Sequence, residues 1–196
     1  MEETVARILA FSGSTRAGSY NQRLASLAAR AAEAAGAQVR LLCLKSYALP
    51  VYDADFEADY GLVDNVLVLK REFDQADGFL IAVPEHNGSI PAVLKNALDW
   101  VSRPCADEPP IAVRCFRGKV AALLSASPEP LGGVSALVHV RQILTQLLVT
   151  VLPEQVCIPF ADKAFDEAGL KDAALRSQVE DLGRRITRFA AHAEPA

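Results

Sequence analysis

The sequence predicts an α/β fold: a doubly wound, five-stranded parallel sheet with helices on both faces, built as one domain over residues 1–196. Two observations carry this expectation. Short apolar runs alternate with stretches of helical periodicity along the whole chain, as strand–helix–strand units require. The run at residues 78–83 is almost wholly apolar, as a strand covered on both faces must be. A length of 196 residues suits a single core.

Each element follows in order. The first strand covers residues 5–11, and the first helix runs from Asn21 to Ala35 and stops at Gly36, a suitable residue just past a helix end. A second strand spans residues 39–44. Residues 45–61, with Pro50 and the acids Asp53, Asp55, Glu57 and Asp59, read as a long surface loop with a solvated charge run. A helix at 62–75 leads to the strand at 78–83, and Pro91 suits the first position of a helix ending near Ser102. A loop through Pro104, Pro109 and Pro110 precedes the fourth strand, 119–125. The loop 126–133, a helix at 134–149, a strand at 155–159 and an amphipathic helix at 171–192 complete the chain. No repeat, low-complexity block or interdomain linker interrupts this pattern.

Hydrophobic residues make up 51% of the chain and charged residues 22%, proportions of a soluble globular protein. A net charge of −4 without a basic stripe argues against nucleic acid as a partner. Cys43, Cys105, Cys115 and Cys157 form no CxxC and no metal-like cluster. Cys43 and Cys157 fall in strand-like runs and are expected to behave as small hydrophobes. These cysteines point to a reducing, cytoplasmic compartment. Met1-Glu2-Glu3 leads straight into the first strand, so no signal peptide is expected, and no apolar run reaches membrane-span length.

The most informative segment is Gly13-Ser14-Thr15-Arg16-Ala17-Gly18-Ser19-Tyr20-Asn21. A Gly- and Ser-rich loop between a strand and a helix N-terminus presents unpaired N–H groups and a positive dipole end, which suits a phosphate. Arg16 adds a guanidinium, and Ser12, Ser14, Ser19 and Asn21 add neutral donors. Ser19 and Gln22 also have capping-box spacing. Gly13 and Gly18 match the glycine spacing of a Walker A loop, but Ser19 and Tyr20 follow where Lys and Ser/Thr should stand. The dinucleotide fingerprint fails as well, and no acid ends the second strand to hold a ribose. A monophosphate such as that of FMN is the best fit.

Two further loops converge on the same sheet edge, where ligands of doubly wound folds bind. Pro84-Glu85-His86-Asn87-Gly88-Ser89 offers backbone groups to a flat heterocycle, and Ser125-Ala126-Ser127 with Gly132-Gly133 follows the fourth strand. Together with Leu94-Lys95-Asn96-Ala97-x-Asp99-Trp100, these motifs resemble the NADPH-dependent FMN reductase family along almost the entire chain. That resemblance implies a flavodoxin-like fold. It also implies that FMN takes hydride at N5 from NADPH or NADH and passes it to quinones, free flavin, azo compounds or metal oxyanions such as chromate. Ser14, Arg16, Ser19 and Asn21 would hold the FMN phosphate. Pro84, Glu85, His86 and Asn87 would line the isoalloxazine, mainly through backbone groups, and Ser125 would approach from the third side. His86 stands where the family commonly has Tyr, and is expected to contribute its backbone. The resemblance further implies a homodimer or a dimer of dimers.

No side chain is expected to act as catalytic base or nucleophile, and no metal site is expected. Lys95 with Asp99, and Asn96 with Trp100, are helical neighbours assigned to fold or subunit contacts. His139 is expected at an interface or in the core, and His192 in an inert tail. A flavodoxin-type electron carrier is the alternative, disfavoured because its first loop and stronger acidity are missing here; a flavin-binding regulatory or scaffold protein is another.

Overall fold

A chain alternating strand and helix must cross over between parallel strands, and right-handed crossovers leave helices on both faces. The computed structural model describes residues 5–105, 108–109 and 113–193. Strands β1 (Arg7–Ser12), β2 (Gln38–Cys43), β3 (Gly78–Ala82), β4 (Val120–Ala126) and β5 (Thr150–Ile158) form one parallel sheet in the order β2-β1-β3-β4-β5. That order is flavodoxin-like, with its switch point between β1 and β3. Around the sheet lie α1 (Tyr20–Ala34), α2 (Ala54–Tyr60), α3 (Asp64–Asp74), α4 (Ala92–Val101), α5 (Val134–Gln146), the one-turn α6 (Ala161–Ala164) and α7 (Ala173–Ala190). A two-stranded antiparallel ribbon, β6 (Phe165–Asp166) and β7 (Gly169–Leu170), precedes α7.

Alternate residues of the strands feed two cores. Ile8, Ala10, Leu80 and Leu124 pack under α1 and α7, while Leu9, Phe11, Phe79, Ile81 and Leu123 pack under α3, α4 and α5. Every residue of β3 and β4 is buried, as central strands covered on both faces should be. Helix α1 ends as its sequence implies: Gly36 has φ +93°, its N–H donates to Glu33 O at 2.9 Å, and Ala37 N–H donates to Ala32 O at 3.1 Å. Two lysines neutralise helix C-termini from within. Lys70 Nζ donates to Val101 O (2.9 Å) and Arg103 O (2.6 Å) beyond α4. Lys119 Nζ donates to Phe73 O (2.5 Å) and Asp74 O (2.8 Å) at the end of α3, and burial pushes its ammonium down to about 8.

The structure corrects several expectations. Residues 45–61 are only partly loop. A 3-10 turn, Leu44–Tyr47, is followed by α2, which Asp53 caps by accepting from Phe56 N–H at 2.9 Å. Phe56 lies tilted against Tyr60 (4.9 Å) and meets Trp100 edge-on (6.2 Å), and Glu57 pairs with Arg103 at 2.8 Å. Aromatic packing thus makes a helix of what composition suggests is a solvated acidic loop. Strand β5 starts well before residue 155, because a bulge opposite Ala121 and Leu123 absorbs Pro153 on the sheet edge. Pro91 is the cap of α4 rather than its first residue, with extended ψ of 144°. Helix α5 stops at Gln146, since Leu148 turns left-handed (φ +66°) and Val149 N–H returns to Leu144 O. Cys43 is exposed on edge strand β2, and Cys115 is the buried cysteine; all four are free thiols. The expectations for Met1-Glu2-Glu3 and for Pro110 lie outside the described residues.

Helices α1 and α7 approach closely at Gly183, where a Cβ would run into Ala28 O and stand 3.1 Å from Ala31 Cβ. Gly183→Ala should therefore destabilise the fold by about 1–3 kcal/mol in urea denaturation, despite its better helix propensity. A neutral or stabilising result would mean that the two helices separate freely.

Arg7 and Asp77 close the opposite end of the sheet. The guanidinium donates to both carboxylate oxygens (3.0 and 2.6 Å), and Arg7 N–H adds a third bond at 2.8 Å. Burial pushes the Asp77 carboxyl up, but these hydrogen bonds and the positive charge outweigh it and hold the group below its ordinary range. A depressed carboxylate gives stability that is present above its unfolded value, about 3.9, and is lost as pH falls through the lower folded value. Asp77→Asn should cost about 1 kcal/mol at neutral pH and flatten the stability loss below about pH 4. Parallel acid-unfolding curves for the two proteins would contradict this.

Candidate functional site

The loops after β1, β3 and β4 open together at the carboxyl edge of the sheet. In the first, Gly13 N–H extends the ladder by donating to Ala82 O at 3.0 Å. Ser14 N–H donates to Ser12 Oγ (3.1 Å), and Arg16 N–H donates to Ser14 Oγ (3.3 Å). Arg23 N–H donates to Ser19 O at 3.1 Å as the helix gets under way. The N–H groups of Tyr20, Asn21 and Gln22 belong to the opening turn, which points its donors out of the helix end. Arg16 is exposed, with its guanidinium 5.5 Å over the Tyr20 ring. Ser14 is half-buried and Ser19 buried.

The capping box is not formed. Ser19 occupies the cap position of α1, but its hydroxyl makes no capping bond. The loop folds back over the first turn and brings Ser14 O to the Gln22 amide, which donates to it at 3.1 Å.

Three of the polar residues expected at the ligand hold the loops to one another. The buried Asn21 amide donates to Ala126 O (2.7 Å) and accepts from Ala126 N–H (2.9 Å), joining the start of α1 to the end of β4. Ser125 Oγ donates to Val83 O at 2.6 Å, joining β4 to β3. Glu85 accepts from Ser135 N–H at 3.1 Å in the first turn of α5, where a carboxylate is favoured. Gly133 has φ +89°, and a Cβ there would overlap Ser125 Oγ, so glycine is required for this close approach.

The second loop is a tight turn. His86 N–H donates to Ser89 O (2.9 Å) and Ser89 N–H donates to His86 O (3.0 Å), with Asn87 at φ +51° and Gly88 at φ +74°. Two left-handed residues in succession make a type I′ turn, for which Asn-Gly is the preferred pair. His86 and Asn87 are exposed at its tip, and Pro84 is buried at its base. Ser89 Oγ lies 2.8 Å from His139 Nδ1 on α5. His139 is thus an exposed tether of the turn, contrary to a place in the core; nothing in the local sequence pattern marks this pair. No carboxylate backs His139 among the described residues, so the pair lacks the third member of a nucleophilic triad. Burial, then the charge of Glu85, pushes the Cys157 thiol up, which keeps it neutral beside the third loop.

Helix α4 supports the site from behind. Asn96 Nδ2 and Trp100 Nε1 both donate to Pro50 O at 2.8 Å, and Tyr52 N–H donates to Asn96 Oδ1 at 2.8 Å. Lys95 and Asp99 form their expected ion pair at 2.7 Å. His192 accompanies the end of α7, with Nδ1 2.8 Å from Arg188 O.

What remains directed outward is a set of backbone N–H donors and a guanidinium at a helix N-terminus, beside a rigid turn. Such a donor set fits a phosphate monoester, and no lysine stands at the Walker position to bridge the β- and γ-phosphates of a triphosphate. The FMN phosphate therefore fits the residues present.

Comparison with known proteins agrees. Residues 6–163 match the family described as NADPH-dependent FMN reductase. The chain is 38% identical over 176 residues to an NAD(P)H-dependent FMN reductase of Pseudomonas aeruginosa, covering 89% of each. It is 35% identical over 147 residues to a quinone reductase of Escherichia coli, covering 74% of this chain and 73% of that one. Its fold is similar to that of FerB, an NAD(P)H:(acceptor) oxidoreductase of Paracoccus denitrificans, with TM-score 0.75 at 24% identity over 95% of this chain and 97% of FerB.

Asn21→Ala should leave both Ala126 backbone groups buried without partners, at a cost of about 2–4 kcal/mol in chemical denaturation. A loss below about 1 kcal/mol would show that the loops do not depend on this amide.

Proposed function

This chain belongs to the NADPH-dependent FMN reductase family, and we propose that it transfers hydride equivalents from NAD(P)H through FMN to small-molecule acceptors, quinones first among them. FMN, when bound, would supply the two-electron redox chemistry, and the protein's residues would bind and orient it. The observation that carries the reading is the phosphate-type donor set of the α1 N-terminus beside the rigid His86–Ser89 turn.

Each residue has a part in this reading. Ser14, Arg16, Ser19 and the Asn21 backbone N–H hold the phosphate, with Arg16 supplying the charge-assisted bond. Pro84, Glu85, His86 and Asn87 shape the wall along the flavin ring, and the preset turn makes that wall rigid before anything binds. Ser125 and the Asn21 side chain act as positioning residues, through Val83 and Ala126. The exposed His86 ring leaves the ring face open for a flat donor or acceptor. Free flavin, azo compounds and chromate fall within the same acceptor range.

The protein works as a homodimer or a dimer of dimers, with the partner completing the pocket. Support comes from α5 and the loop before it, where Leu131 (69% exposed) and Val138 (57%) stand near the His139 tether. Free thiols throughout and an acidic net charge of −4 support a cytoplasmic protein that binds neither nucleic acid nor membrane. Among the described residues, no helix is long and apolar enough to cross a membrane.

Steady-state oxidation of NADPH with 1,4-benzoquinone should require FMN and show saturation in both substrates. Flavin binding without turnover would favour an electron carrier instead. Arg16→Ala should weaken FMN binding roughly ten- to a hundredfold, the loss of one charge-assisted bond to a phosphate. An unchanged FMN Kd would remove Arg16 from the phosphate site.

A further inference from the structure

A second cationic surface lies beside the phosphate loop. The β6–β7 ribbon folds over the outer side of α1 next to the start of α7, and the concavity between them encloses about 410 Å³. Three guanidinium groups line it: Arg23 and Arg30, two turns apart on α1, and Arg176 on α7. Neutral groups hold two of them in place. Arg23 donates to Asp166 O and lies 4.9 Å over the Phe165 ring. Arg176 Nε and one terminal nitrogen donate to Leu170 O at 3.1 and 2.5 Å. Arg30 makes no hydrogen bond or ion pair among the described residues, so all five of its donors are available.

The charges of this cluster are uncompensated. Arg7, Arg40, Arg103, Arg114, Arg184 and Arg185 each pair with an Asp or Glu. None of the three cavity arginines has such a partner among the described residues, although the chain as a whole carries −4. Glu167 is the single acid on the wall, which leaves the concavity cationic. Like charges gathered this closely repel one another unless an anion joins them.

A ladder of stacked groups connects the concavity to the first loop. Arg16 lies over Tyr20, Tyr20 stacks on Phe165 (5.7 Å, 21°), and Phe165 carries Arg23 on its face. Gln22 lines the concavity and holds Ser14 O with its amide. A dinucleotide bound at the loops therefore has a cationic pocket adjoining it. NADPH differs from NADH by one phosphomonoester, remote from the nicotinamide, and guanidinium forks match that group in geometry and charge.

We propose that the concavity between α1, the β6–β7 ribbon and α7 is the subsite for the 2′-phosphate of NADPH, through Arg23, Arg30 and Arg176. The proposal rests on the reductase reading. It makes this chain select NADPH over NADH by an anion contact outside the flavin loops.

Isothermal titration of the full chain in the presence of FMN, with adenosine 2′,5′-bisphosphate and with AMP, tests it. The bisphosphate should bind about tenfold or more tightly than AMP, and the difference should shrink as salt is added. Arg30→Gln, an exposed substitution, should reduce that ratio severalfold, whereas Arg30→Lys should retain part of it. Equal affinity for the two nucleotides would overturn the proposal, as would a ratio unaltered by Arg30→Gln. Glycerol 2-phosphate binding as tightly as the bisphosphate would assign the concavity to a free phosphate compound and overturn the NADPH source. Absorbance on FMN addition reads the reductase assignment separately. If FMN binds and the nucleotides bind equally, the subsite alone fails; if FMN does not bind, the reductase reading fails.

Discussion

The amide of Asn21 is the tie on which the candidate site depends. It is buried, it bonds both backbone groups of Ala126, and it spans from the first turn of α1 to the end of a strand two places across the sheet. With that bridge in place, the loop carrying Arg16 cannot shift independently of the loop after β4. Ser125 then fixes the end of β4 to Val83, and Glu85 fixes the turn after β3 to the start of α5. The three loops form one connected polar frame, and the donors left at its surface inherit its rigidity. Preorganised donors bind an anion without first paying to be ordered.

Helix α1 unites the fold and the site. Its alanines let it lie close to the sheet and to α7 at Gly183, which sets the helix axis. The same axis sends its N-terminal N–H groups toward the switch point between β1 and β3. Its outer face carries Arg23 and Arg30 into the pocket under the β6–β7 ribbon. One helix thereby positions two anion-seeking surfaces, and the aromatic pair Tyr20 and Phe165 joins them.

Much of this was legible in the sequence, because the signals were local. The order of strands and helices, the glycine that ends α1 and the Lys95–Asp99 pair all follow from spacing and residue type. The reading failed where distant residues decide. Helix α2 needs Trp100 beneath Phe56, and α5 must be present before His139 can meet Ser89. Gln22 looks like a capping partner until the loop folds back and offers Ser14 O. Asn21 and Ser125 carry the right chemistry for ligands, yet partners about a hundred and about forty residues away claim their side chains. The arginine cluster was invisible for the same reason: Arg30 and Arg176 line one pocket only because α1 and α7 pack together.

An anaerobic absorbance titration tests the central claim most directly: purified protein, then FMN, then NADPH. FMN is expected to bind with a shifted flavin spectrum, and stoichiometric NADPH to bleach its visible bands. Flavin bands that bind yet persist with both NADPH and NADH, or FMN that fails to bind at all, would contradict it.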